Sequence, residues 1–186
     1  MSHLNLHKFN LLAFIRAATQ KPDELSGQLL LPELIRLAAE KAPDTPAEMP
    51  ITWHLRYTPK AQPHVQQNPV IELHLEAEIW LVCQRCLQPY LHSLSNLHRF
   101  EVVQSEAEAD AVAMDDDEKD AVVGSEEFDL LYLIEDELLL NLPLIPHHSS
   151  CQHPVLEQLQ KEFLSEAEQS SPFAKLAALK EKKHLH

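Results

Sequence analysis

The stretch IELHLEAEIWLVCQRCLQPY, Ile71 to Tyr90, alternates apolar and polar residues up to a pair of cysteines spaced CxxC. Ile71, Leu73, Leu75, Ala77, Ile79, Leu81 and Cys83 fall on one side, with Glu72, His74, Glu76 and Glu78 on the other. A period of two belongs to a β-strand with one buried face. The last outward positions, Trp80 and Val82, are apolar as well, so the end of this strand is expected to be covered on both faces. Upstream, Ile51, Trp53, Leu55 and Tyr57 alternate against Thr52, His54, Arg56 and Thr58, and downstream a third extended segment runs from about Tyr90 to Val103. Three neighbouring extended segments with the cysteines at a turn predict an antiparallel sheet whose hairpin tip carries the CxxC pair.

Helical patterns flank this sheet. Phe9 to Ala18 is apolar apart from Arg16, KPDELSG (residues 21–27) supplies helix breakers, and Pro32 suits the first turn of a second helix. In that second helix Leu34, Ile35, Leu37 and Ala38 form the apolar stripe. Asp129 is placed to cap LLYLIEDELLLNL, residues 130–142, which stops at Pro143. There the buried arc is Leu130, Leu131, Ile134, Leu138 and Leu142. Glu135 and Asp136 fall outside it, and Glu137 is expected at its rim, the alternative being a carboxylate held near the core that needs a partner. The run from Ser105 to Glu127 is acidic and poor in large apolar side chains, which predicts a solvated, mobile loop over residues 105–127. The fold class is therefore α+β, a small antiparallel β-sheet packed by helices. Residues 1–154 form the single domain, and residues 155–186 a helical, basic C-terminal tail.

Composition limits what such a domain does. The 186 residues carry 29 acidic and 15 basic side chains, a net charge of -14, which disfavours coating a nucleic acid and favours a basic partner protein. Three cysteines leave at least one unpaired and point to a reducing cytoplasm rather than a disulfide framework. LLAFI, Leu11 to Ile15, is too short for a signal-peptide core, and no apolar run reaches the roughly 20 residues of a membrane span. With only Gly27 and Gly124, the chain lacks a glycine-rich phosphate cradle.

The chemistry-bearing residues are the sulfur and imidazole groups. Cys83 and Cys86 can hold one metal ion if two further donors arrive, and HHSSCQH (residues 147–153) offers Cys151 with His148, or His147 or His153 as alternatives. A Cys3His zinc site is one reading. A thiol–disulfide oxidoreductase using Cys83 and Cys86 is a second, a zinc-dependent enzyme using the histidine cluster with Glu137 is another, and cysteines acting as small hydrophobes remain the plainest. In the tail, Lys175, Lys180, Lys182 and Lys183 form a basic group that suits either helix charge compensation or a contact with RNA or an acidic protein.

CQRCLQPY (residues 83–90), FDLLYLIEDELLLNLPLIPHH (residues 128–148) and SPFAKLAALK (residues 171–180) together resemble, in order and spacing, the YceD family of large ribosomal RNA subunit accumulation proteins. The resemblance is best from about Trp80 to Cys151 and at the C-terminus, and looser at SGQLLLPELIRLAAE. It implies a cytoplasmic, non-catalytic ribosome-biogenesis factor needed for synthesis, processing or stability of the large-subunit 23S ribosomal RNA. Its implied partners are an assembly intermediate, that RNA or a basic ribosomal protein, with no membrane and no small-molecule substrate. Some relatives carry a second cysteine cluster after the LPLxP segment, which with CxxC looks like a zinc site. Here His148 stands at the first cluster position, Cys151 follows at a shortened spacing, and His153 takes a later cysteine's place.

Overall fold

A computed structural model describes residues 4–20, 24–58, 68–112, 120–149 and 151. It is a five-stranded sheet in the order β1-β2-β3-β4-β5: Glu24–Leu30, Pro50–Thr58, Val70–Val82, Pro89–Val103 and Asp120–Val123. The first four strands run antiparallel to their neighbours, and β5 lies parallel to β4. Helices α1 (Leu11–Gln20), α2 (Ile35–Ala39), α3 (Glu106–Val112) and α4 (Leu130–Leu140) complete the α+β architecture.

The alternation in β2 and β3 decides which face is buried. Register sets Ile51 beside Ala77, Trp53 beside Leu75, Leu55 beside Leu73 and Tyr57 beside Ile71, and all eight are buried. Against them α1 lays Leu11, Phe14, Ile15 and Ala18, and α4 lays Leu130, Ile134 and Leu138, each set spaced along one helical face. Each large side chain so buried contributes about 1.5–3 kcal/mol of transfer free energy before the entropy of ordering it. Phe9 and Phe128 exchange backbone hydrogen bonds of 2.9 and 2.8 Å, which fastens the entry of α1 to that of α4. Asp129 accepts from the Tyr132 N–H at 2.9 Å and caps α4 as the sequence predicts.

The opposite face of the sheet is wet. Arg56, Glu76, Glu78, Ser93, Ser95, Leu97 and Arg99 are exposed on it, the one-sided burial common in antiparallel sheets.

Several expectations are corrected. KPDELSG is no mere breaker: its end opens β1, and Gly27 lies opposite Trp53, where a Cβ would come within 2.8 Å of the indole. The glycine makes room for a core tryptophan rather than ending an element. α2 is only a short helix, and Ile35 of its expected apolar stripe is 80% exposed while Leu34 and Leu37 are buried. The acidic run is not loop throughout. Ser105 takes the Glu108 N–H on its hydroxyl to start α3, and Ala121 to Val123 pair with Glu101 to Val103 as β5, making the sheet mixed. Gly124 allows that strand to end tight against Leu12 and Val102, which a Cβ would meet at 2.8 and 2.9 Å. On α4, Glu135 is buried rather than outside the arc, and Glu137 takes the alternative of a carboxylate held near the core, because each finds cationic or hydrogen-bonding partners there. The tail, residues 155–186, lies outside the described residues.

Candidate metal centre at the hairpin tip

Residues 83–88 join β3 to β4. Cys83 donates its N–H to the Gln88 carbonyl at 2.9 Å, and Leu87 donates to the Cys83 carbonyl at 2.8 Å. The turn closes with Leu87 in the left-handed region, φ 59°, so Cys83 and Cys86 end up on one side of a tight knuckle. A second segment is delivered to it by α4. After the helix ends at Asn141, the chain passes Pro143 and docks through the Gln84 N–H, which donates to the Pro146 carbonyl at 2.8 Å. One of the two histidines that follow faces the cysteines.

His148 does, with its Nε2 at 3.5 Å from the Cys86 sulfur, and Cys151 brings its sulfur to 3.6 Å from that of Cys83. All four donor atoms lie within 4.8 Å of one another. A tetrahedral ion with zinc–sulfur bonds of about 2.3 Å separates its sulfurs by about 3.8 Å, near the 3.6 Å between Cys83 and Cys151, so the four groups could hold one such ion. None of the three thiols is in a disulfide. His148 stacks obliquely on Tyr90 at 5.7 Å between ring centres, and its buried Nδ1 has no hydrogen-bond partner among the described residues. His147 points elsewhere, with its Nδ1 2.9 Å from the Ile145 carbonyl. His153 and Lys175, Lys180, Lys182 and Lys183 lie outside the described residues.

The thiols are unequal. Burial raises Cys83, yet the N–H groups of Cys86, His148 and Arg85 and the Cys151 thiol outweigh it and bring the group down to about 6. Burial and the neighbouring sulfurs of Cys83 and Cys86 push Cys151 up to about 11. Backbone N–H groups aimed at a sulfur are the environment of a thiolate ligand.

A second cluster escaped the sequence reading. His98 on β4 lies 3.1 Å from Glu137 through Nδ1 and 3.1 Å from Asp120 through Nε2, while Asn96 donates to Glu137 at 3.0 Å. One donor atom from each of His98, Asp120 and Glu137 lies within 4.8 Å of the others, so the trio is a second group that could hold a metal ion. Burial, above all, raises the Glu137 carboxyl above its ordinary range, with His98 pulling against it. Strand parity held the signal: Asn96 and His98 share the face of Leu94 and Phe100, which marks two polar groups pointing inward.

A family model described as large ribosomal RNA subunit accumulation protein YceD matches residues 71–180, more than half of the chain. The chain belongs to the YceD family. A relative from Haemophilus influenzae (strain ATCC 51907 / DSM 11121 / KW20 / Rd) with that same description is 36% identical over 122 residues, 63% of this chain and 68% of the relative. No solved structure is detectably similar. The region matched by the YceD family begins at the first core residue of β3 and includes all four candidate ligands, the whole of β4 and α4. No helix among the described residues is long and apolar enough to cross a membrane.

Proposed function

We propose that the protein is a non-catalytic, cytoplasmic ribosome-biogenesis factor needed for the accumulation of large-subunit 23S ribosomal RNA, acting on an assembly intermediate through a basic protein rather than by coating RNA. The observation that carries this reading is the YceD family match, which spans the hairpin, its CxxC tip and the segment docked on it. Net charge of -14 favours a basic protein as the direct partner.

In this reading Cys83, Cys86, Cys151 and His148 hold one zinc ion as a structural brace. A four-donor set of thiolates and imidazole closes the coordination shell and leaves no position for substrate, as in structural rather than catalytic zinc sites. What zinc supplies is a cross-link between the β3–β4 turn and the segment after α4. The thiol-oxidoreductase alternative needs a nucleophilic sulfur open to a protein disulfide, whereas Cys83, the thiol held lowest, is fully buried.

The test is the ratio of large- to small-subunit ribosomal RNA in cells lacking the protein, with wild type or a Cys83→Ser, Cys86→Ser variant supplied back. The ratio is expected to fall on deletion and to recover with wild type only. A ratio unchanged by deletion refutes the biogenesis role. Full recovery with the variant would make the brace dispensable.

A further inference from the structure

On the wet face of the sheet, three glutamates of β3 meet different fates. Glu72 is buried and gripped by its own cations: Arg56 reaches its Oε2 through Nε at 3.2 Å and through the guanidinium NH2, and Arg99 reaches Oε1 at 2.9 Å. Glu76 and Glu78, further along the same face, receive no lysine or arginine from the described residues. Among the described residues Glu76 meets His74, at 3.7 Å, and Glu78 meets the Ser93 hydroxyl, at 3.4 Å. Their cross-strand neighbours on β4 are Ser95 and Ser93, too small to shield them. The carboxylates therefore stand over a shallow groove of about 290 Å³ with Pro50 at its side. Beyond them the face turns apolar, with half-buried Trp80 beside Leu91, which is 41% exposed.

We propose that Glu76, Glu78, Trp80 and Leu91 form a docking surface for an extended, lysine- or arginine-rich segment of a basic protein. The charge is complementary, and so is the spacing. Alternate residues on one strand face repeat every ~6.8 Å, so two cationic side chains at alternate positions of an extended segment meet Glu76 and Glu78 in step. The next residue on that face, an apolar one or a long cationic stem, lies over Trp80 and Leu91. Phosphate groups are repelled by the same two carboxylates. This rests on the biogenesis reading and gives its basic partner a place to bind.

The test titrates the full chain with a synthetic peptide repeating Lys-Thr-Lys-Leu. Glu76→Gln with Glu78→Gln is expected to weaken binding about five- to tenfold. Glu106→Gln with Glu108→Gln removes the same charge from α3 and is expected to change it less than about twofold. Equal loss from both pairs would mean attraction to net charge alone and overturn the surface. So would binding that appears only after Lys175, Lys180, Lys182 and Lys183 are neutralised, since the occupant would then be the chain's own tail. A single-stranded ribosomal RNA fragment that binds the chain and loses affinity through the same Glu76 and Glu78 variant would overturn it as well. In cells the two ideas separate. A peptide effect as expected, with ribosomal RNA untouched by deletion of the chain, sinks the biogenesis reading and keeps the surface; a deletion defect fully restored by the Glu76, Glu78 variant sinks the surface and keeps the reading.

Discussion

The β3–β4 hairpin is secured at both ends, but by opposite means. Near its base, β3 carries a buried carboxylate, Glu72, whose two arginines come from β2 and β4, so the clamp is complete within the sheet. At its tip three thiols and an imidazole bring their donor atoms within 4.8 Å of one another. Thiolates packed this way repel one another as they ionise, and a bound cation would turn that repulsion into attraction. The base is thus closed by the chain's own charges, whereas the tip gathers a donor set that could hold a metal ion. If the tip holds zinc as proposed, metal supply would govern the order of that end of the hairpin.

The largest effect is expected from breaking the conditional end. Wild-type protein should carry about one zinc per chain. Chelation, or Cys83→Ser with Cys86→Ser, should remove it, lower the melting temperature and broaden the amide signals of residues 83–90 and 142–149, while those of β1 and β2 stay sharp. Metal analysis with amide NMR checks this. Uniform broadening over the whole sheet would erase the distinction between the two ends.

The self-contained end should yield less. Glu72→Gln removes the charge that orders two arginines, but Arg56 and Arg99 are 60% and 50% exposed and regain water, so the loss is about 1–2 kcal/mol by urea denaturation at neutral pH. Its pH dependence has a definite sign. Hydrogen bonds from Arg56, ahead of the cost of burial and helped by Arg99, hold the Glu72 carboxyl below its ordinary range. Its stabilisation is therefore present above the ordinary carboxylate range and is lost as pH falls through the lowered value. Glu137, on the covered face, has the opposite sign. Burial raises it, so its contribution is present below the ordinary carboxylate range and fades as pH rises through the raised value. Glu137→Gln should flatten that alkaline-side decline, and Glu72→Gln the acid-side one. Identical pH–stability profiles for the two variants would show that the two carboxylates do not differ as their surroundings imply.

How much of this was legible beforehand follows from how local each signal is. β2, β3 and β4 announce themselves because alternation is a property of the strand itself, and the Asp129 cap because it acts three residues away. β1 did not, since the reason for Gly27 is the Trp53 ring on another strand. β5 is four residues of parallel pairing inside an acidic run, where composition hides Ala121 to Val123. The four candidate ligands at the tip were readable, with His148 named ahead of His147 and His153; what no spacing encodes is the Gln84 to Pro146 hydrogen bond that docks their segment on the hairpin. Glu135 looked like a solvated helix residue. It is buried because it accepts the N–H groups of Arg36 and Leu37 at 2.6 and 3.2 Å and the Arg36 side chain at 2.8 Å, linking α4 to α2 across a long sequence gap.

The smallest expected change sharpens the comparison at the tip itself. Leu87 holds φ 59°, a conformation costing an ordinary residue about 1–2 kcal/mol, and its side chain is 71% exposed, so little burial offsets the strain. Glycine adopts that conformation freely but loses more entropy on folding, so Leu87→Gly should stabilise the protein by no more than about 0.5–1 kcal/mol. The gain should depend on the metal. With the ion bound, the knuckle is already fixed by its ligands, and relief of strain appears as tighter zinc binding in a chelator competition. Without it, the turn is free to relax, Leu87 leaves the strained conformation, and the substitution should do almost nothing to the melting temperature. Equal stabilisation with and without zinc would mean that the backbone, not the ion, sets the shape of the tip, and the contrast with the arginine-clamped base would disappear.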